Sequence, residues 1–281
     1  MKNQLGKIPV CNSSLRVRLF DFQKEACSVL DSILSWVTEN SLPDGQIKLE
    51  GAQPVNSLSV PMMIFCIVNE ICYCYPDLTE EYSGHKDWAV ERILKHLQRG
   101  GKVVLETVTE EGTELPGSAG RLTNCGHVLE AGWFLLKHAL DTNNEELKAI
   151  AIEKFIKLPF DFGWDQHFGG LYYFLDVDGF SPVQLEWNLK LWWPHCEGLI
   201  SFLMAYRVTK DREFLVRFKQ ILDYTLEKFS DPLNGEWYGY LSQKGTVTHN
   251  FKGGPYKGCF HVPRALYMCQ KLLLEIEEDI K

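Results

Sequence analysis

Apolar residues recur along the chain at helical spacing, in blocks separated by short turn-rich stretches. Phe22, Ala26, Val29, Leu30, Ile33, Leu34 and Val37 predict a helix over 22–40, ended by Leu42-Pro43-Asp44-Gly45. A second helix is expected from Pro61, whose ring suits a first helical turn, to about Cys74. A third spans 80–98, with Trp88, Ile93, Leu94 and Leu97 on one face. The pattern then changes. Lys102 to Val108 is β-branched, and Thr109-Glu-Glu-Gly112 reads as a hairpin turn. A helix from Gly126 to about Leu140, a polar loop over 141–145 and an amphipathic helix to Lys157 follow.

The same order then recurs. Asp165 to Gly170 is a turn, Leu171 to Val177 a strand, Asp178-Gly179 a tip, and 186–206 a helix. After the charged loop Lys210-Asp-Arg212 a helix runs to Phe229. The turn Asp231 to Gly235, the strand Glu236 to Leu241, the turn Gln243-Lys-Gly245 and a helix over 260–277 complete another round. Polarity separates the two helices of each unit. The 186–206 block is apolar nearly all round, as an enclosed helix should be. In its successor Phe214, Leu215, Phe218, Ile221 and Leu222 oppose Arg217, Lys219 and Asp223. Enclosed helices ringed by amphipathic ones predict an all-α fold, an α/α toroid with short β-ribbons on one face. An open solenoid fits the same pattern.

Histidines keep step with this repeat. His127, His195 and His261 lie 68 and 66 residues apart, each at the head of an enclosed helix, and the tip glycines Gly112, Gly179 and Gly245 precede them at 15 or 16 residues. Pro61 leads His127 by 66 and marks a unit without a histidine. Equivalent positions gather the imidazoles on one rim. His85, His96, His138, His167 and His249 fall outside the pattern and are read as surface or packing residues.

Composition narrows the partners. A net charge of −8 with no basic tract argues against nucleic acid. The longest apolar run, Val60 to Val68, is too short to cross a bilayer, and Met1 to Ser14 lacks the apolar core of a signal peptide. Nine cysteines without a CxxC pair are expected as reduced thiols in a cytoplasmic protein, and Cys72-x-Cys74 lacks a second ligand pair, so no metal site is expected. Cys196 beside His195 does not make a nucleophile pair, because neighbours on a helix diverge. Gly253-Gly-Pro-Tyr-Lys-Gly258 lacks the ending and the setting of a phosphate loop.

Three motifs carry a family resemblance. They are Gly126-His-Val-Leu-Glu-Ala-Gly-Trp133-Phe-Leu-Leu; Gln184-Leu-Glu186-Trp187 followed by Lys190-Leu-Trp-Trp-Pro-His195-Cys-Glu197; and Gly253-Gly-Pro-Tyr-Lys-Gly-Cys-Phe-His261-Val-Pro-Arg264. In this order and spacing the chain resembles the N-acylglucosamine 2-epimerases, also called renin-binding proteins, from roughly Trp36 to Lys271. The resemblance implies an (α/α)6 barrel of six helix pairs, of which this chain holds about four. One toroidal domain over 1–281 is then expected, incomplete at the N-terminus, with 1–21 irregular. It further implies interconversion of N-acetylglucosamine and N-acetylmannosamine, stimulation by ATP without a cofactor needed for the chemistry, a homodimer, and binding of renin.

By the same resemblance His127 and His261 match the catalytic pair, and Trp133 a substrate-lining position. Inversion of a carbon beside a carbonyl needs a base on one face and an acid on the other. Histidine, with a pKa of roughly 6.5, serves as either. Two imidazoles on different inner helices supply the two-sided geometry. Glu130, three residues after His127, shares its side of the helix and would orient the ring or raise its basicity. Trp193 and Glu197 share a face, the indole to stack on a sugar, the carboxylate to hold hydroxyls or stabilise an imidazolium. His195 is read as a further substrate-side contact or a donor behind it. Two rival readings remain. One is an α/α-toroid glycoside hydrolase using Glu130 and Glu197. The other is a non-catalytic protein that binds renin or another subunit through an open edge.

Overall fold

In the computed structural model, which describes residues 13–38, 50–51 and 54–280, the chain packs as two units, Met1–Pro54 and Val55–Lys281. The first contains helix α1, Ser13–Thr38. The helix expected from Phe22 is therefore present, but it begins earlier, so residues 13–21 are not irregular. Neither Pro nor Gly interrupts Ser13 to Phe22, and nothing there breaks a helix. The predicted break at Leu42-Pro43-Asp44-Gly45, and Asn40 before it, lie outside the described residues.

The second unit alternates enclosed and half-exposed helices. Helix α2, Ser59–Cys74, packs on α3, Thr79–Leu94. Helix α4, Cys125–Asp141, packs on an outer rod made of α5, Glu145–Ile150, a wider π-helical stretch Ala151–Lys157, and α6, Leu158–Gly163. Helix α7, Trp192–Thr209, packs on α8, Arg212–Lys228. Helix α9, His261–Ile280, lies against α7. The inner helices α2, α4, α7 and α9 thus touch in series, with α3, the α5–α6 rod and α8 outside them. In α7 every residue from Trp192 to Ala205 is buried, whereas α8 buries only the stripe Phe214, Phe218, Ile221, Tyr224 and Thr225. This is α/α-toroid architecture, built as the polarity pattern requires. No helix among the described residues is long and apolar enough to cross a membrane.

Five further elements differ from expectation in their bounds. The third helix stops at Leu94, because β2, Leu97–Gln98, turns back through Arg99, Gly100 and Gly101, all with positive φ, to pair with β3, Val103–Val104. The helix expected from Glu186 starts at Trp192. Before it, Leu189 N–H closes a turn on the Glu186 carbonyl at 3.0 Å, and Lys190–Leu191 form a strand, β7. The helix expected to end at Lys157 runs on to Gly163 through its widened stretch. The strands expected over 171–177 and 236–241 shrink to β6, Leu175–Asp176, and β8, Tyr240–Leu241.

The ribbons repeat as the histidines do. Strand β1, Val55–Ser57, precedes α2 and pairs antiparallel with β4, Thr107–Thr109; β5, Leu122–Thr123, precedes α4 and pairs with β6; β7 precedes α7 and pairs with β8. Each ribbon therefore laces the start of one inner helix to the hairpin of the following unit. The tips close alike: Gly112, Gly179 and Gly245 N–H groups donate to the carbonyls of Thr109, Asp176 and Ser242 at 2.9–3.0 Å. All three glycines have φ between 79° and 85°, which a side chain would oppose.

Behind the ribbons the repeated turns are held by aspartates. Asp165 Oδ1 accepts the N–H groups of His167 and Phe168, and Asp231 Oδ1 those of Leu233 and Asn234. Asp165 Oδ2 also holds the fully buried Lys190 Nζ at 3.0 Å, above the ring of Tyr172. Burial resists the charge on Asp165, but the Phe168 amide, the Lys190 ammonium and the His167 amide outweigh it and hold its pKa down at about 2. A carboxylate depressed on folding stabilises fully above its ordinary pKa, here 3.8, and that contribution is lost as pH falls towards about 2. An Asp165→Asn variant should therefore lose less stability than the parent between pH 4 and 2. Equal slopes in acid denaturation followed by circular dichroism would contradict this.

Candidate active site

The ribbon face carries a cavity of about 240 Å³ at the starts of the inner helices. His127, Glu130, Trp193 and His261 line it, with Ser59, Met62 and Met63 from α2 and Phe260 ahead of α9. Local capping fixes the first of these. The Asn124 side-chain oxygen accepts the N–H of His127 at 3.1 Å and so closes the first turn of α4. The adjacent Gly126 leaves room for an indole. A Cβ there would lie 2.5 Å from the Trp193 ring. Trp193 thus packs against the start of α4 with both cavity imidazoles close to its ring. Its ring centroid is 4.9 Å from that of His127 and 5.5 Å from that of His261, with tilts of 36° and 32°. The two imidazoles lie no farther apart than those distances added together.

Each imidazole is backed by a carboxylate. His127 Nδ1–H donates to Glu106 at 2.9 and 3.1 Å, and His261 Nδ1–H donates to Glu197 Oε1 at 2.7 Å. An ionised carboxylate only accepts, so in both rings the hydrogen sits on Nδ1 and leaves Nε2 to take or give a proton. Burial alone would lower the pKa of His127. The charge and hydrogen bond of Glu106, with Glu130 and Glu197 beyond, reverse this and raise it.

Arg264 ties the deeper carboxylates together. Its Nη2 donates to Glu130 Oε1 at 2.6 Å and to Glu197 Oε1 at 2.7 Å, while Phe260 covers the guanidinium at 4.1 Å. Glu197 is wholly buried and also accepts from Trp133 Nε1 at 2.8 Å. Burial resists ionisation of Glu197, but the His261 hydrogen bond, Arg264 and Trp133 prevail and hold its pKa down. Glu130 goes the other way. Burial and the neighbouring Glu197 charge raise it to about 7 against the pull of Arg264. Glu130, Glu197 and His261 offer atoms within 4.8 Å of one another, a spacing that could suit a metal ion, yet a guanidinium already occupies the place between the two carboxylates.

The structure therefore brings together His127, His261, Glu130 and Trp193 at one cavity, and it sets the other three expected residues behind it. Glu197 and Trp133 are buried and bonded to each other, and Glu197 also holds His261. His195 is fully buried, accepts the Leu171 N–H on Nε2 at 3.0 Å, donates Nδ1–H to the Leu191 carbonyl at 2.6 Å and stacks on Tyr224. Burial pushes its pKa down to about 3, and both ring nitrogens are engaged with backbone groups behind the cavity. Glu130 bonds to Arg264, and the carboxylate at the His127 ring is Glu106. The hydrolase pair fails on the same geometry. Glu130 and Glu197 grip one nitrogen, and no glycosidic bond fits between them. Every cysteine among the described residues is a free thiol, and burial raises Cys196 well above the ordinary thiol range.

Sequence reasoning missed Glu106 and Arg264. A signal existed for each. Glu106 is the one charged residue within Val103-Val-Leu-Glu-Thr-Val108, and Arg264 follows His261 by three, on the same side of α9.

Fold and site together define an α/α toroid whose ribbon face holds two carboxylate-backed histidines beside one indole. The family described as N-acylglucosamine 2-epimerase (GlcNAc 2-epimerase) matches residues 73–265. N-acylglucosamine 2-epimerase of Mus musculus is 50% identical over 252 residues, covering 90% of this chain and 60% of the relative. Among solved structures, a D-mannose isomerase aligns with a TM-score of 0.66 at 18% identity, over 80% of this chain and 57% of that one. The cellobiose 2-epimerase from Bacillus thermoamylovorans B4167 aligns with a TM-score of 0.64 at 20% identity, over 77% and 53%. The chain belongs to the N-acylglucosamine 2-epimerase family, and it spans about three fifths of the length of the curated relatives it matches.

Proposed function

We propose that the cavity epimerises N-acetylglucosamine and N-acetylmannosamine at C2 of the ring-opened sugar. The observation that carries this reading is the pair of imidazoles, each with Nδ1 tied to a buried carboxylate, lining one cavity beside the same indole. One Nε2 removes the C2 proton, and the electron pair moves onto the C1 carbonyl to give an enolate. The other imidazole, protonated, returns a proton to the opposite face of C2. Glu130, with its pKa up at about 7, can stand protonated in the cavity and donate a hydrogen bond to the enolate oxygen. Trp193 offers its face to the sugar. The step requires neither metal nor redox group. ATP stimulation, renin binding, a homodimer and cytoplasmic residence accompany this reading as expectations taken from the family.

The test is solvent exchange. N-acetylmannosamine incubated with the protein in deuterated water should yield N-acetylglucosamine carrying deuterium at C2, read by NMR. Inversion with no label at C2 would exclude proton transfer with solvent-exchanging groups.

A second reading, a non-catalytic partner of renin or of another subunit, has one observation in its favour. Leu266, Tyr267, Leu273 and Leu274 form an exposed apolar stripe along α9. A stable stoichiometric complex in sedimentation, with no deuterium exchange, would favour it.

A further inference from the structure

The two histidine–carboxylate pairs differ in what else each carboxylate holds. Glu197 accepts from His261, Arg264 and Trp133, so its charge is shared among three donors. Glu106 presents both oxygens to one atom, His127 Nδ1, at 2.9 and 3.1 Å. Its backbone is pinned on both sides. Glu106 N–H donates to the Leu122 carbonyl at 2.8 Å, and its carbonyl accepts from Leu58 N–H at 2.9 Å. Leu58 immediately precedes α2 and Leu122 lies in β5 ahead of α4, so Glu106 sits where two inner-helix starts meet one ribbon. A carboxylate held this way has little freedom to leave the ring it faces.

The remaining charged and titratable groups around the Glu106–His127 pair are Glu130 on the helix of His127, Glu197 from α7, His261 at the same cavity, and Tyr173 and the buried His96, which both lie near Glu106. Helix α2 faces the cavity with Ser59, Met62 and Met63, none of them charged. We infer that Glu106 is the positioning residue of His127: it fixes the Nδ1–H tautomer and holds the proton on that ring, so His127 enters turnover as the acid and His261 as the base. In the direction that starts from protonated His127, His261 Nε2 takes the C2 proton, His127 Nε2–H gives its own to the opposite face, and solvent restores the starting state by removing one proton and supplying another. The reverse direction runs the same steps backwards with the roles exchanged. The inference rests on the epimerase reading for its chemistry and on the Glu106–His127 geometry for its structure.

The experiment separates the two. Histidine ring nitrogens of the full chain, labelled with ¹⁵N, are titrated by NMR, with His127 assigned by its loss in His127→Asn. Glu106→Gln keeps the shape and an acceptor oxygen but removes the charge. The His127 midpoint should fall by about one pH unit or more, and the alkaline limb of kcat/KM, set by loss of the proton from the acid, should move down with it while KM changes little. Glu106→Asp, a carboxylate drawn back by one methylene, should fall between the two and remains informative if the glutamine variant does not fold. An unchanged His127 midpoint in either variant overturns the inference. A lowered midpoint in a protein that turns over no sugar upholds Glu106 as the partner of His127 and sinks the epimerase reading instead.

Discussion

Replacing either cavity imidazole, by His127→Asn or His261→Asn, should lower kcat for N-acetylmannosamine about 10²–10⁴-fold. Both side chains stand partly open at the cavity rather than in the core, so asparagine leaves the helix starts packed. Denaturation midpoints should stay close to the parent's. The losses should also not multiply in the double variant, since each step needs both rings and removal of one already stops the exchange. Steady-state turnover checks this beside urea unfolding. Parental turnover in either single variant would remove that ring from the reaction.

Arg264→Leu should be the most destabilising single change at the site. It leaves Glu130 and Glu197 buried beside each other without their shared cation, a situation that costs about 3–5 kcal/mol when one partner of a buried pair is removed. The direction with pH follows from Glu130, whose pKa is already raised from 4.5 to about 7 with the arginine present. A carboxyl raised on folding weakens the folded state as pH climbs from its ordinary value to its folded one. The deficit of the variant should therefore be large at pH 7.5 and shrink at pH 5, where Glu130 takes up a proton. Adding Glu130→Gln should recover much of the loss at the higher pH. A deficit independent of pH, measured by urea unfolding, would mean that the two carboxylates do not repel.

Much of the architecture was legible because burial writes itself into polarity. The enclosed α7 and the one-sided α8 differ in sequence as they differ in exposure, and the tip glycines appear at the spacing of the histidines. Helix starts and ends were less legible. Lys190 and Leu191 suit a helix as well as a strand, and only their pairing with Tyr240 and Leu241, far along the chain, decides. At the site, the repeat marked three equivalent histidines but could not tell which face the cavity. His195 turns inward to cap backbone groups that a helical wheel does not reveal. Glu106 was missed for a similar reason. Its partner is 21 residues away, across a ribbon whose register depends on strands on both sides. Spacing on a helix favoured Glu130, and the fold gave that carboxylate to Arg264.

The lacing of the ribbons bears on how such a chain can change its length. Each of the three ribbons that precede inner helices borrows one strand from each of two successive units, so a cut at a unit's own ends strands half a ladder on both sides. Excisions or duplications that preserve the ladders must enter and leave at matching points of two ribbons, in whole steps of the histidine interval. Shortening of this architecture is in that sense quantised.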